Sequence, residues 1–534
     1  MPDGVKLSSK VRGLPYINSW VAHPFLVAPS TFGLYTKFSH LELIESFLED
    51  PETHRVSVAS PELRGGPFID FNGPMHEMKD FRDRTLARCA VQLSFAGAIT
   101  RLYDMLQSSA KGLSLAGLYA NIDPCLRHQV ELSYDVCKQP LVRFIEPAFY
   151  ASPAYDDSLQ SMRLEHVSDH PRPFALSTPQ LARDESSLEL QIPFGSPIWT
   201  RLFAGADSQD ALLEQIRPHM GAPDRDMPLL RKMLVPHMTT EHTSRPVPGE
   251  VRLRYFGHAS VLMESANVSV LVDPLIGYPG EAGPDHFTFD DLPGHIDYVL
   301  ITHPHMDHIV FETLLRIRDK VGCVVVGRAG GGNLQDVSLK LMLLRCGFAK
   351  VIELDEYESV EFGDGRIVGA PFYGEHGDLD VRAKLVYGVQ MADASCLFFA
   401  DSNPPSPEVY GPLRKLFPHV DCLFLGMECV GAPASWLYGP MLQKLLTRGE
   451  DQARRLDGCD AKAARGLWAY FNPKQFYVYA MGAEPWLTHI TSILYSEDST
   501  QFREARLLER ELRAGGHHAE VLYGRMERSL RGSA

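Results

Sequence analysis

No C-x-x-C pair occurs anywhere in the 534 residues, although the chain holds nine cysteines. They are scattered from Cys89 to Cys459, and an odd, irregular set fits neither a disulfide framework nor a zinc knuckle. This is the usage of a reducing cytoplasm, with thiols serving as small apolar groups. Positive charge is also in deficit: 52 Lys and Arg stand against 67 Asp and Glu, a formal net charge of −15. That balance argues against a nucleic-acid backbone or an anionic membrane as the main partner. Long apolar runs are missing too. The opening segment MPDGVKLSSKVRGLPYINSW lacks the apolar stretch of a secretory signal, and the longest candidate, LARCAVQLSFAGAITRLYDML, is broken by Arg88, Gln92 and Arg101. It reads as a buried helix. The expectation is a cytoplasmic protein whose partners include neither membrane nor nucleic acid.

An apolar fraction of 45% and a charged fraction of 22% are those of a globular protein, and the length calls for two domains. The clearest seam is VPHMTTEHTSRPVPGEVRL, polar and proline-rich, which puts a boundary at Pro248 and divides the chain into residues 1–247 and 248–534. Upstream, HLELIESFLED, LLEQIRPHM and PLLRKML have helical apolar spacing, while HRVSVAS and LELQIPF read as extended. The first part is therefore expected to be mixed α+β. Downstream, VRLRYF, SVLMES, VSVLVDP, DYVLITH, CVVVG, CLFFADS, CLFLGM and FYVYAM are short strand-like runs, with helical spacing in HIVFETLLRIRD and REARLLERELRA. Strands mixed with helices in this order predict a layered α/β domain.

The chemistry is concentrated where DYVLITH ends, in the pattern H-x-H-x-D-H formed by His303, His305, Asp307 and His308. In a tight turn after a buried strand, His303 and His305 can reach one metal while Asp307 and His308 face a second nearby. Four ligand-type side chains in six positions seldom arise in an ordinary surface loop.

With YFGHASVLMES, VSVLVDP and ITHPHMDHI in that order, the region from about 250 to 525 resembles the metallo-β-lactamase superfamily. The resemblance implies an αββα sandwich with a dinuclear metal site at one edge of its two sheets. It also implies a bridging aspartate, for which Asp401 in LFFADSN fits, and a final histidine, for which His489 in MGAEPWLTH is preferred over His517 and His518. The remaining ligand falls in APFYGEHGDLD, where spacing does not choose between Glu375 and His376. Glu375 with His303 and His305 would make a two-histidine, one-carboxylate set suited to non-haem iron, whereas an all-histidine version suits zinc.

In its length, its long N-terminal region and the Glu at this position, the whole chain looks like the di-iron β-hydroxylases of nonribosomal peptide synthetase pathways, the chloramphenicol pathway among them. That resemblance implies metal ligands at His303, His305, Asp307, His308, Glu375 and Asp401, with His489 added by order and context. Glu375 and Asp401 would be the catalytic carboxylates. It further implies two iron ions, O2 as co-substrate, an external electron donor, and an aromatic amino acid, such as L-p-aminophenylalanine, tethered through phosphopantetheine to a carrier domain. Dimerisation and carrier docking would fall to residues 1–247. The alternative is a zinc or manganese hydrolase, a lactonase or phosphodiesterase, because GHASVLMES and VSVLVDP resemble those enzymes as well.

Several other groups invite weighing. His258 in FGHAS is expected to be structural or to support a ligand, and Asp273 to orient a metal-bound histidine. GRAGGGN, residues 327–333, lacks the lysine and hydroxyl residue of a phosphate-binding loop and reads as a flexible loop. Glu428, Trp436 and Tyr438 lie on a segment that could line an aromatic pocket, but core packing explains them nearly as well.

Overall fold

The computed structural model describes residues 4–181, 185–205, 207–237 and 245–531. Two seven-stranded sheets face each other in the C-terminal part. In the first, the order is Val351–Leu354, Val321–Gly327, Ile296–Leu300, Ser269–Val272, Ser260–Glu264, Glu250–Gly257 and Met526–Arg531. In the second it is Ser359–Phe362, Gly365–Pro371, Leu385–Met391, Ala394–Phe398, Cys422–Gly426, Gln475–Tyr479 and His518–Val521. The parallel strands, such as Ser269–Val272 beside Ile296–Leu300, are apolar almost without interruption because both of their faces are covered.

Tyr255, Val261 and Leu300 of the first sheet pack on Tyr387, Phe398, Phe424 and Tyr477 of the second. Helices Gly411–Leu416, Ala461–Phe471 and Thr500–Ala514 cover the outer face of the second sheet through Leu413, Leu467 and Leu508. Helices Phe311–Ile317 and Leu339–Arg345 lie on the other side. The result is the αββα sandwich, preceded by a mixed α+β region.

That N-terminal region holds the antiparallel sheet Trp20–Val21, Val11–Ile17, Gln160–His166, Leu188–Leu190 and the helices Met75–Arg88 and Ala90–Ser109. Phe25, Phe95 and Trp199 belong to the same apolar cluster as Phe311, Leu314 and Val324, so the two regions share one core. The boundary expected at Pro248 follows residues 238–244, which lie outside the described residues. Among the described residues no helix is long and apolar enough to cross a membrane.

One expected strand is a helix. HRVSVAS falls within Pro51–Ala59, which begins at Pro51 and is capped by Asp50, whose side chain accepts from the Thr53 backbone N–H at 3.1 Å. Cap and first-turn proline outweigh the alternation of Val56 and Val58.

Candidate metal centre

Strand Ile296–Leu300 delivers Thr302 and His303 to the sheet edge, where the Thr302 N–H donates to Asp273 Oδ1 at 2.8 Å. The turn then closes on itself, with the N–H groups of His308 and Ile309 both donating to the His305 carbonyl. Three imidazoles are thereby gathered: ring centroids of His303 lie 4.7 Å from His305 and 4.1 Å from His308.

Each ring is oriented from behind. The Thr302 hydroxyl donates to Asp273 Oδ2 at 2.6 Å, so at 3.0 Å it can only accept from His303 Nδ1, leaving His303 Nε2 bare. His308 Nδ1 donates to Asp273 Oδ2 at 2.8 Å, which turns its Nε2 toward Asp401 Oδ2 at 3.0 Å. His305 has Nε2 on the Tyr438 hydroxyl at 3.1 Å and Nδ1 facing Glu375 Oε1 at 2.8 Å. The unshared pair on His303 Nε2 thus faces Glu375 Oε2 and Asp401 Oδ2 at 3.7 and 3.9 Å, an arrangement that repels unless a cation lies between them. His303 Nε2, Glu375 Oε2 and Asp401 Oδ1 are all buried without a hydrogen-bond partner. The donor set, imidazole nitrogens with carboxylate oxygens, fits divalent metals of mixed nitrogen and oxygen ligation.

The atoms fall into overlapping groups. His303, His305 and Glu375 can share one ion, and His303, His308 and Asp401 converge beside it, with Asp307 and His258 against His308. His258 Nδ1 accepts the Gly482 N–H at 3.2 Å, so its Nε2–H faces Asp307 Oδ2, also at 3.2 Å. That tautomer makes His258 a support for Asp307. Of the two neighbours left open by spacing, Glu375 points at the histidines. His376 Nδ1 instead contacts the Gly374 carbonyl and Glu375 Oε2 at 3.2 and 3.1 Å.

Electrostatics follow from burial and crowding. Burial pushes the Glu375 carboxyl up to about 7, against the lowering effect of His305. Burial, reinforced by His308 and His305, holds His303 well below the ordinary imidazole range. Burial alone would lower His308 too, but Asp401, Asp307 and Asp273 hold it well above. Asp307, despite burial, stays below the usual carboxylate range because of His308 and His258.

The backbone is strained where these groups are placed. His258, Asp273, Glu375 and Ala400 have φ of +49°, +39°, +62° and +46°, left-handed conformations that side-chain-bearing residues adopt at a cost of about 1 to 3 kcal/mol each. Gly426 must be glycine: a Cβ there would stand 2.4 Å from Asp401 Oδ1.

Among the described residues, His489, expected as the final ligand, is not one of the groups whose ligand atoms converge. It lies in the short helix Thr488–Thr491, its Nδ1 on the Trp486 carbonyl at 3.0 Å, and it lines a small separate hollow with Arg172 and Glu312. Burial, with Arg172 and Arg12 nearby, keeps it neutral. His517 and His518 are also remote, in contact with Trp468 and Tyr477. The contact of His258 with Asp307 was missed, and its signal was the tight turn at FGHAS. Tyr438 was weighed without reference to the histidine it meets.

A cavity of about 1050 Å3 opens from His305, Glu375 and Asp401 and runs between the two regions past Trp436 to Phe38 and Phe68.

A family described as "Diiron non-heme beta-hydroxylase N-terminal domain" matches residues 6–237, and a "Beta-lactamase superfamily domain" matches residues 269–434. The chain is 35% identical over 528 residues, 97% of its length and 98% of the relative's, to the 4-amino-L-phenylalanyl-[CmlP-peptidyl-carrier-protein] 3-hydroxylase of Streptomyces venezuelae. Its fold superposes with a TM-score of 0.91 on the crystal structure of CmlA, a diiron beta-hydroxylase from that organism, at 34% identity and 99% coverage of both chains. A UPF0173 metal-dependent hydrolase of Pyrobaculum islandicum is 26% identical over 115 residues, 22% of this chain and 46% of the relative.

Proposed function

The chain belongs to the diiron non-heme beta-hydroxylase family, and on that premise we propose that it hydroxylates the β-carbon of an aromatic amino acid carried as a thioester on a nonribosomal peptide synthetase carrier domain. 4-Amino-L-phenylalanine is the first candidate side chain, by analogy with the S. venezuelae relative, and the setting is antibiotic biosynthesis of the chloramphenicol type. The observation that carries the reading is Glu375, a carboxylate set against His303 and His305 where an all-histidine site would suit redox-silent zinc. The hydrolase alternative rests on a likeness confined to about a fifth of the chain.

In this reading His303, His305 and Glu375 hold one iron, Asp307 and His308 the other, and Asp401 is shared. His489 is left out of the set. The two irons would supply the electron storage and the oxidising power for cleaving a C–H bond with O2. The chain does the rest. Asp273 and Thr302 fix which nitrogen of His303 and His308 is turned toward the carboxylates, and His258 fixes the Asp307 carboxylate. Met306, Met481 and Ile490 line the cavity and limit water, while its walls align the tethered arm. Electrons come from an external reductase. Residues 1–247 serve pairing into a homodimer and carrier docking, a role supported by the exposed apolar groups Leu113, Val136 and Leu141 beside the hairpin Val130–Tyr134 and Pro140–Phe144.

Metal analysis tests this directly. Protein purified without added metal should hold about two irons per chain and, once reduced, consume O2 in the presence of the loaded carrier. Stoichiometric zinc together with turnover of an ester or lactone would establish the hydrolase.

A further inference from the structure

We propose that Glu428 is the anchor for the α-ammonium group of the carrier-bound amino acid, and so the residue that selects an aminoacyl over a plain acyl thioester. The inference rests on the reading given under Proposed function and deepens it.

Strand Cys422–Gly426 ends against the metal centre: the Gly426 N–H donates to the Ala400 carbonyl at 2.7 Å, and a Cβ at Gly426 would run into the Asp401 carboxylate. Glu428 follows two residues later on the same wall and lines the same cavity. Its carboxylate accepts from the Gln501 side chain and from the Gly431 N–H. Among the described residues, no lysine, arginine or histidine nitrogen lies within 4.0 Å of it. Arg455, the nearby cation, spends its guanidinium on the Val430 carbonyl at 2.6 Å, Gln452 Oε1 at 2.9 Å and the Gly431 carbonyl.

A carboxylate drawn into a cavity wall without a cation in direct contact is costly, and burial pushes this carboxyl above its ordinary range against the lowering effects of Gln501, Gly431 and the more distant Arg455. A cation arriving in the cavity removes that cost. The other acids of the cavity do not offer this: Asp307, Glu375 and Asp401 face the metal histidines, while Glu42 and Glu62 are exposed at the far end.

The substrate supplies the complement. Its thioester and aromatic ring are uncharged near neutral pH, whereas the α-amino group is largely protonated and sits on the carbon next to the one that reacts. Holding that ammonium beside Asp401 fixes the rotation about the adjacent bond, and hence which β C–H faces the metals.

Binding without turnover separates the possibilities. Iron-loaded protein, kept free of O2, is titrated with three carriers: 4-amino-L-phenylalanyl, its des-amino analogue 3-(4-aminophenyl)propionyl, and the unloaded phosphopantetheinyl form. Wild type should bind the aminoacyl carrier about tenfold or more tightly than the des-amino one. Glu428→Gln, with its iron content intact, should bind both equally and hold the unloaded carrier as wild type does, while Glu428→Asp should recover part of the preference. Retention of the full preference by Glu428→Gln would overturn the anchor alone. Failure of wild type to bind any of the three carriers would overturn the carrier-dependent reading, and the anchor with it.

Discussion

The C-terminal sandwich and the N-terminal region are held in place by different kinds of contact. In the sandwich, the working groups stand at strand ends, several within a few residues of one another, and each is oriented by a close neighbour such as Thr302 or Asp273. Beyond the shared apolar core, the N-terminal region is fastened to the sandwich by buried and half-buried arginines acting across the sequence. Arg12 meets Glu281 at 2.6 Å, Arg316 donates to the carbonyls of Val11 and Ser8, and Arg318 donates to those of Phe194, Cys346 and Ser196. The difference teaches that the metal centre is local while the cavity is not: Phe38 and Phe68 close a space whose floor is made by residues more than two hundred positions away.

If that division holds, damage to the two regions should be separable. The largest effect is expected from Asp401→Ala, which in the proposed ligand set removes the anion shared by the two irons. Iron measured per chain should fall from about two to below one, and hydroxylation by more than about a hundredfold, since even outer partners of metal ligands are worth that much. Retention of both metals would mean that Asp401 is not the bridge. Arg318→Ala should do the reverse. By leaving several enclosed carbonyls unpaired it should cost about 3 to 5 kcal/mol in denaturant unfolding, with the iron content of the folded fraction unchanged.

A smaller effect is expected at Glu146, which accepts the Ser338 N–H at 2.9 Å and joins the N-terminal region to the helix Leu339–Arg345. Burial pushes its carboxyl up from 4.5 to about 7. The folded state therefore binds the proton more tightly than the unfolded chain, and this group's contribution to stability is lost as pH rises from about 4.5 to about 7, by up to about 3 kcal/mol. Glu146→Gln should flatten that part of the stability profile. The smallest effect belongs to His489→Gln: iron content as in wild type and a stability change of about 1 kcal/mol, because the ring serves a backbone contact. Loss of an iron in that variant would restore His489 to the ligand set.

Much of the sandwich was legible because its signals are short-range. H-x-H-x-D-H after an apolar strand, and Asp401 at the end of another, announce themselves within a few residues. Glu375 and His376 could not be separated that way, since what turns Glu375 inward is a left-handed backbone at φ +62° following Gly374. Order along the chain suggests His489 as a ligand, but it carries no sign of the short helix Thr488–Thr491 that sets its Nδ1 on the Trp486 carbonyl. HRVSVAS misled for the opposite reason: Asp50 and Pro51 mark a helix start just upstream of an alternating pattern. The N-terminal contribution was least legible, because pairs such as Arg12 and Glu281 carry no local signature.

The central claim is that this site uses O2 to hydroxylate a carrier-bound amino acid. It is tested most directly by turnover under isotopically labelled O2, with the candidate amino acid supplied both free and loaded on its carrier and the product weighed by mass spectrometry. The account predicts one labelled oxygen at the β-carbon of the loaded amino acid and little or no product from the free form. Oxygen derived from water, or release of the thioester without hydroxylation, would contradict it.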